Sequence, residues 1–426
     1  MGGIVGRLFR EFAVTLSVAI AVSAVVSLTL TPTMCARLLR PEPPPEARGR
    51  LYRLSERGFG AFNGAYDRSL GWVLRHRGPV LAVAAATLAL TVYLFNEAPK
   101  GLFPQQDVGM LIGFSEAPQD VSFASMRDRQ ERVNAVVRED PDVEHAVSFL
   151  GGGPGGGTVN TGSVFVALKP RPGRQAGADE IIARLRPKLA RVEGVQLFMQ
   201  ATQDVRIGGR TSRTQYQYTL QDADLDELRA FAPRLLERLR KLPELRDVNT
   251  DQQNAGLELA VNVDRDAIAR LGLTMRDVDD TLYDAFGQRQ VATTYTERNS
   301  YRVVLEAPPE LSRGPEGLRS IYFTPPAGGL VPLDAVATTS TGPMPLAVNH
   351  QGQFPSTTIS FNLAPGAALG DAVEAVHAAE RELSLPPGLR AGFRGTALAF
   401  RESLESQPLL ILAALVTVYI VLGVLY

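Results

Sequence analysis

The sequence predicts an α+β membrane protein: three transmembrane helices, with one large extramembrane region between the second and the third. Uncharged apolar runs at 12–36, 78–96 and 407–426 are 25, 19 and 20 residues long. Each is close to the ~20 residues a helix needs to cross about 30 Å of hydrocarbon. The stretch 97–406 instead alternates strand-like and helix-like periodicities. Within it, the order strand, helix, strand, strand, helix, strand occurs once whole and once interrupted. Three apolar runs in one chain argue against buried core helices of a soluble protein. The first run is also too long for a signal peptide and lacks a small-residue cleavage site.

Taken in order, the first span is expected over 8–38. The loop 37–77 carries nine arginines against Glu42, Glu46, Glu56 and Asp67, a net of +5, whereas 97–406 is net −7. Lys/Arg bias in short loops sets orientation, which puts 37–77 in the cytoplasm and 97–406 on the far side of the membrane. Prolines 41 and 43–45 stop the first helix, because proline lacks the N–H donor and restricts the residue before it. Leu51, Leu54, Phe59, Phe62, Tyr66, Leu70 and Val73 then recur every three to five residues among arginines. That pattern predicts an amphipathic interfacial helix over 46–76. The second span follows at 78–97 and the third at 404–426.

In the external region, strands are expected at Met110–Phe114, Val143–Leu150, Ser163–Leu168 and Val195–Met199, with helices at Ser122–Arg138 and Ala178–Leu189. This is a ferredoxin-like, split βαβ unit over 105–200. The same order restarts with strand Thr214–Leu220, helix Leu225–Leu239 and strand Leu245–Asn249, and it is completed by Ser356–Phe393. A second unit over 210–250 and 345–397 therefore carries an insertion at 252–344. That insertion opens with the period-2 strand Leu257–Val261 and continues with two short helices and further strands.

Composition excludes several functions. With 44 Lys plus Arg against 45 Asp plus Glu, the chain has no basic excess for nucleic acid. Cys35 alone excludes a disulfide framework or a Cys-rich zinc site, and the histidines at 76, 145, 350 and 377 have no metalloprotease spacing. Nothing assembles into a catalytic set, and no cofactor or resident metal is expected. The segment Gly151, Gly152, Gly153, Pro154, Gly155, Gly156, Gly157 matches a phosphate-loop glycine pattern literally, but a strand follows it where a helix is required. It reads as a flexible hairpin loop at the mouth of a cleft. Phe149, Leu150, Phe165, Leu197 and Met199 on the flanking strands are the candidate lining for mixed apolar ligands. Met110 and Met199 form the one candidate pair for a metal cation. None of the three apolar runs holds Asp, Glu, Lys, Arg or His, so no proton relay is expected within them.

Residues 6–17 with 28–32, together with 99–107, Asn160-Thr161-Gly162, residues 216–220, Asp251-Gln252-Gln253 and residues 285–290, 348–352 and 418–423 resemble resistance–nodulation–division (RND) efflux pumps. They are most similar to the heteromeric multidrug branch typified by MdtB and MdtC. The resemblance implies a trimeric exporter of small-molecule drugs in a Gram-negative inner membrane, homomeric or paired with a related permease subunit. It implies proton motive force as the drive, a periplasmic adaptor and an outer-membrane channel as partners, and inner-membrane lipid as surroundings. On this resemblance 105–200 and 210–250 plus 345–397 are porter subdomains, 252–344 is a funnel or docking subdomain, and 151–157 is a switch loop beside the drug pocket. Homotrimeric pumps carry phenylalanines in that loop where Gly152 and Pro154 stand here. The chain corresponds to the sixth through eighth spans and the second periplasmic loop of a twelve-span pump. It is therefore expected to be an internal fragment or truncated product, with metal-cation export or no transport activity of its own as the alternatives.

Overall fold

The computed structural model describes residues 3–39, 50–98, 100–101, 106–151, 157–204, 208–209, 212–312 and 314–425. Its helices are α1 (Gly3–Leu38), α2 (Arg50–Arg75), α3 (Arg77–Glu97), α4 (Phe123–Arg138), α5 (Ala178–Leu189), α6 (Leu225–Leu239), α7 (Arg265–Arg270), α8 (Met275–Phe286), α9 (Leu369–Leu383) and α10 (Thr396–Leu425). Its strands are β1 (Met110–Glu116), β2 (Val143–Leu150), β3 (Thr161–Leu168), β4 (Gln196–Ala201), β5 (Tyr216–Gln221), β6 (Leu245–Thr250), β7 (Gly256–Val263), β8 (Arg289–Tyr295), β9 (Ser300–Leu305), β10 (Tyr322–Phe323), β11 (Val331–Pro332), β12 (Ala337–Met344), β13 (His350–Gln351), β14 (Phe354–Leu363) and β15 (Arg390–Arg394). They fall into two compact units, one of 1–106, 203–250 and 358–426, the other of 107–202 and 251–357.

In the first unit, three helices are long and apolar enough to cross a bilayer: Phe9–Leu38 within α1, then α3 and α10. At 1.5 Å per residue, the 21 residues of α3 reach about 32 Å. The most apolar 18-residue window of each span buries none of its residues within the chain, the mark of a helix whose solvent is lipid. Pro32 interrupts the α1 ladder, and nearby Thr29 and Thr33 donate to the carbonyls of Val25 and Thr29 at 2.6 Å. The proline-rich stop lies outside the described residues. The amphipathic helix begins at Arg50 in the described chain, and 46–49 likewise lie outside it.

The sheet of this unit places β5 between β14 and β15, with β6 on the far side of β14. Helices α6 and α9 supply Leu228, Leu235, Leu239 and Val376 to a core shared with Tyr218, Phe361 and Phe393. The side chain of Asp224 caps α6 by accepting from the N–H groups of Asp226 and Glu227. Tyr218 is fully buried and donates to Glu380 Oε2 at 2.6 Å; His377 Nδ1 lies 3.0 Å from the same oxygen. Burial first, and then the Glu380 pair, push the Tyr218 phenol far above its ordinary range, so it stays a donor.

The third span differs from its expected start. Helix α10 begins at Thr396, not 404, because Ala397, Ala399 and Phe400 are buried at the sheet end, with Ala397 and Phe400 in the core itself. One continuous helix of 30 residues, about 45 Å, therefore runs from the sheet core through the apolar segment.

In the second unit, β1–β4 form a sheet in the order β2-β3-β1-β4, with β3 antiparallel to both β1 and β2 and β4 antiparallel to β1. Helices α4 and α5 cover one face through Val133, Val137, Ile181 and Leu185, packed on Leu111, Val164 and Val166. The segment after Asp251 forms its own core of Ile268, Val278, Phe323, Leu333 and Val336 beneath the β7–β12 pair. The β8–β9 hairpin stands exposed from it. Truncating Phe361, fully buried and stacked on Tyr216 with ring centroids 5.9 Å apart, opens a core cavity. Phe361→Ala is expected to remove about 3–5 kcal/mol from the first unit, read as a lowered thermal midpoint of the detergent-solubilised protein.

Candidate functional site

The strand register of the second unit sorts the candidate residues by face, since neighbouring side chains on a strand point to opposite sides. Gly113 lies between Val164 and Met199, and Ser115 between Gly162 and Leu197. These residues face the helices: Met199 is 5% exposed within the core, and Leu197 packs against it. Leu150, paired with Gly162, shares that side. Phe149 and Phe165 lie on the opposite, helix-free face, where their rings meet edge-on with centroids 5.9 Å apart. The five candidates are thus divided, two on the open face and three on the covered one. Met110 and Met199 are divided in the same way, so the strand register does not bring that pair together.

The open face holds residues the sequence reading missed. Phe114 and Phe198 are cross-strand partners, Ile112 lies between Phe165 and Gln200, and Val147 pairs with Phe165. Together they make a half-buried aromatic and aliphatic surface with one amide, Gln200, at its β4 side. The signal was present as the alternation of Ile112 and Phe114, but in β4 the run Leu197-Phe198-Met199 has no polar residue to set its parity.

Residues 152–156 of the glycine-rich loop lie outside the described residues, but its neck is in place. The N–H of Gly151 donates to Thr161 O at 2.9 Å, and a Cβ at Gly157 would sit 2.8 Å from Thr161 Oγ1 and 2.9 Å from Gly151 O. At Gly162 a Cβ would lie 2.6 Å from Ser115 Oγ and 2.9 Å from Phe149 O. Only glycine permits that approach, and the space it leaves is used by the buried bond from Ser115 Oγ to Gln130 Oε1, 2.5 Å. Asn160 beside it is buried and spans to Ala117: its Nδ2 donates to the Ala117 carbonyl at 3.1 Å, and its own carbonyl accepts from the Ala117 N–H at 2.8 Å.

Two ion-pair clusters hold the sheet's helices. Arg174, with its side chain 1% exposed, grips Asp107 through Nη2–Oδ1 at 2.6 Å and Nη1–Oδ2 at 2.8 Å. Asp107 also accepts from the N–H groups of Gly109 and Ala178, each at 3.0 Å, which ties the chain entering β1 to the start of α5. Arg184 on α5 reaches Asp140 and Asp142 at 2.6 and 2.7 Å, pinning the turn between α4 and β2. The hydrogen bonds from Arg174 hold the Asp107 carboxyl well below the usual carboxylate range.

The model of the AcrB/AcrD/AcrF family matches residues 1–426. The chain belongs to the AcrB/AcrD/AcrF family. Among solved structures, two crystal forms of a heavy metal efflux pump share its fold, with TM-scores of 0.71 and 0.70 at 20% sequence identity. The matches take in 80% and 83% of this chain but only 36% and 38% of those pumps, so the chain spans well under half the length of the structures it matches.

Breaking the Asp107–Arg174 latch leaves a buried guanidinium unpaired. Asp107→Asn is expected to cost about 3 kcal/mol near neutral pH, measured as a lowered thermal midpoint. The folded pKa of Asp107 is depressed, so the wild-type latch is fully stabilising above the ordinary carboxylate value of about 4 and is lost as pH falls below it toward the folded value. The difference between variant and wild type should therefore be constant from about pH 5 to 8 and shrink only below about pH 4.

Proposed function

We propose that this chain is the central part of a proton-driven RND efflux permease that exports mixed apolar and amphipathic compounds. The observation that carries the reading is the open face of the β1–β4 sheet: Phe149, Phe165, Phe114 and Phe198 offer aromatic area with one amide, beside a glycine-rich neck. Large apolar surfaces with few polar groups suit chemically varied apolar ligands.

In this reading the βαββαβ order of each unit and the strand order β2-β3-β1-β4 support two ferredoxin-like porter subdomains, with 252–344 as a docking insertion. Residues 97–406 lie in the periplasm and 37–77 in the cytoplasm, on the strength of the nine loop arginines. The permease takes compounds from the periplasm and the inner-membrane leaflet, assembles as a homo- or heterotrimer and works with a periplasmic adaptor and an outer-membrane channel. The sequence words quoted above favour the heteromeric MdtB/MdtC-type branch. Proton flow acts through spans of a longer parent and reaches this region as a conformational linkage; α10, which joins the sheet core to the apolar segment, is its mechanical route.

A second reading, export of a metal cation, is favoured by the name of the two structural neighbours. One experiment separates the two. A strain lacking the full-length parent is complemented with wild type, Phe149→Ala, Phe165→Ala or Phe198→Ala, and tolerance is scored for several apolar drugs and for copper and silver. Each truncation is expected to lower apolar-drug tolerance about fivefold, as loss of ~1 kcal/mol of aromatic contact does. Unchanged drug tolerance in all three variants would sink the pocket. Loss of copper or silver tolerance on deletion, with drug tolerance intact, would replace drug export by metal export.

A further inference from the structure

The motifs Asn160-Thr161-Gly162 and Asp251-Gln252-Gln253 lie about ninety residues apart in sequence, yet the second unit brings them together. Thr158 Oγ1 lies 2.5 Å from Asn160 Oδ1 and 2.7 Å from Gln253 Oε1. A hydroxyl has one proton to donate, so it donates to one amide oxygen and accepts from the NH₂ of the other, whose orientation is an assignment. Gln253 is 4% exposed and anchored in its own segment, its carbonyl accepting from the Leu346 N–H at 2.9 Å and its backbone bridging Ala347. A second tie lies alongside, where the Ala255 N–H donates to Gln119 Oε1 at 2.5 Å. Thr158 in turn fixes the neck, because its carbonyl accepts both the N–H and the Oγ1–H of Thr161 at 2.9 and 2.8 Å, and Thr161 O holds Gly151. Root of the insertion, Thr158, Thr161 and Gly151 form one unbroken hydrogen-bonded path, and Gly151 follows directly on Phe149-Leu150.

We propose that Thr158 and Gln253 are positioning residues for export: their hydrogen bond sets the neck of the glycine-rich loop against the root of the inserted segment, and so sets which apolar substrates the Phe149–Phe165 face accepts. The inference rests on the export reading above. Its physical ground is the choice of buried polar groups. An apolar pair of the same volume would fill this space without the cost of desolvating an amide, whereas a satisfied polar network holds one geometry. That geometry lies at the edge of the aromatic face, where a small displacement of the neck changes the room beside Phe149.

The test uses the full-length parent in cells lacking other efflux, with initial export rates of a compact and a bulky apolar dye measured against concentration. The variants are Thr158→Val, Gln253→Leu and the double substitution, with Thr158→Ser and Gln253→Glu keeping the hydroxyl and the acceptor. Each single removal is expected to change the ratio of the two dyes' export rates roughly three- to tenfold, the range for one net hydrogen bond, through KM more than kcat. The double variant should match the worse single, since both break one bond, and the two conservative variants should restore the wild-type ratio. Parallel loss of both dyes in step with a falling thermal midpoint would mean a merely structural role and overturn the inference. Independent, multiplying effects of the two singles would overturn it as well. A wild-type parent that exports neither dye is a separate failure, visible before any variant is compared; it removes the export reading and the inference with it.

Discussion

Backbone hydrogen bonding in a medium without water is the constraint on which the rest of this structure depends. A segment crossing hydrocarbon must satisfy every N–H and C=O internally, so α1, α3 and α10 can be nothing but helices. What the structure adds is that α10 obeys this rule in lipid and a packing rule in protein along a single rod. Its first turns place Ala397 and Phe400 in a core with Tyr218, Phe361 and Phe393, and its apolar turns further on expose Leu409, Leu415 and Val424. Pro408 removes one rung of the α10 ladder, but the turns on either side stay bonded to the next, so a shift of one end is felt at the other. At the α3 end, the Gly370 N–H donates to Lys100 O at 3.3 Å, bringing α9 to the residues that follow the second span.

Within each unit the sheet and its helices are held by two different kinds of cement. Their cores are ordinary helix-on-sheet packing, with apolar faces of α4, α5, α6 and α9 covering one side of each sheet. Their corners are polar and satisfied: Arg174 on Asp107, Arg184 on Asp140 and Asp142, Tyr218 on Glu380, Asn160 on Ala117. Buried charges of this kind contribute little net stability over apolar substitutes, but removing one partner is costly. They specify where chain segments cross more than they hold the protein folded. The neck of the glycine-rich loop, with Thr158 held on Gln253, is likewise polar and fixes position more than stability.

The open sheet face illustrates how function and fold share one set of strands. A sheet with helices on one side buries every second residue, and the alternate residues are free for other work. In β1 the helix-facing set is Leu111, Gly113 and Ser115, which leaves Ile112, itself buried, and the half-buried Phe114 on the far side. Apolar side chains in the second set lie outside the helix-packed core, and this placement supports the proposed apolar pocket. That is the physical reason the face, and not the larger exposed apolar area of the spans, is the proposed site.

By itself the sequence determined the elements and their order. Uncharged runs of span length, helical stripes such as Leu228, Leu235 and Leu239, and strand alternation are local properties, each enforced by solvent within a few residues, so three spans and two βαββαβ orders, one whole and one interrupted, were legible. The parity of β4 was not, because Leu197-Phe198-Met199 is apolar throughout, and only pairing with Gly113, Phe114 and Ser115 decided which of them faces the helices. Nor was the start of α10 legible, since the residues at 396–400 carry no span signal and are helical because a core waits for Ala397 and Phe400. The meeting of Thr158 with Gln253 lay further still from view. Contacts between residues about ninety positions apart leave no periodicity in either segment; they exist only once chain topology has brought the two backbones within a hydrogen bond's reach.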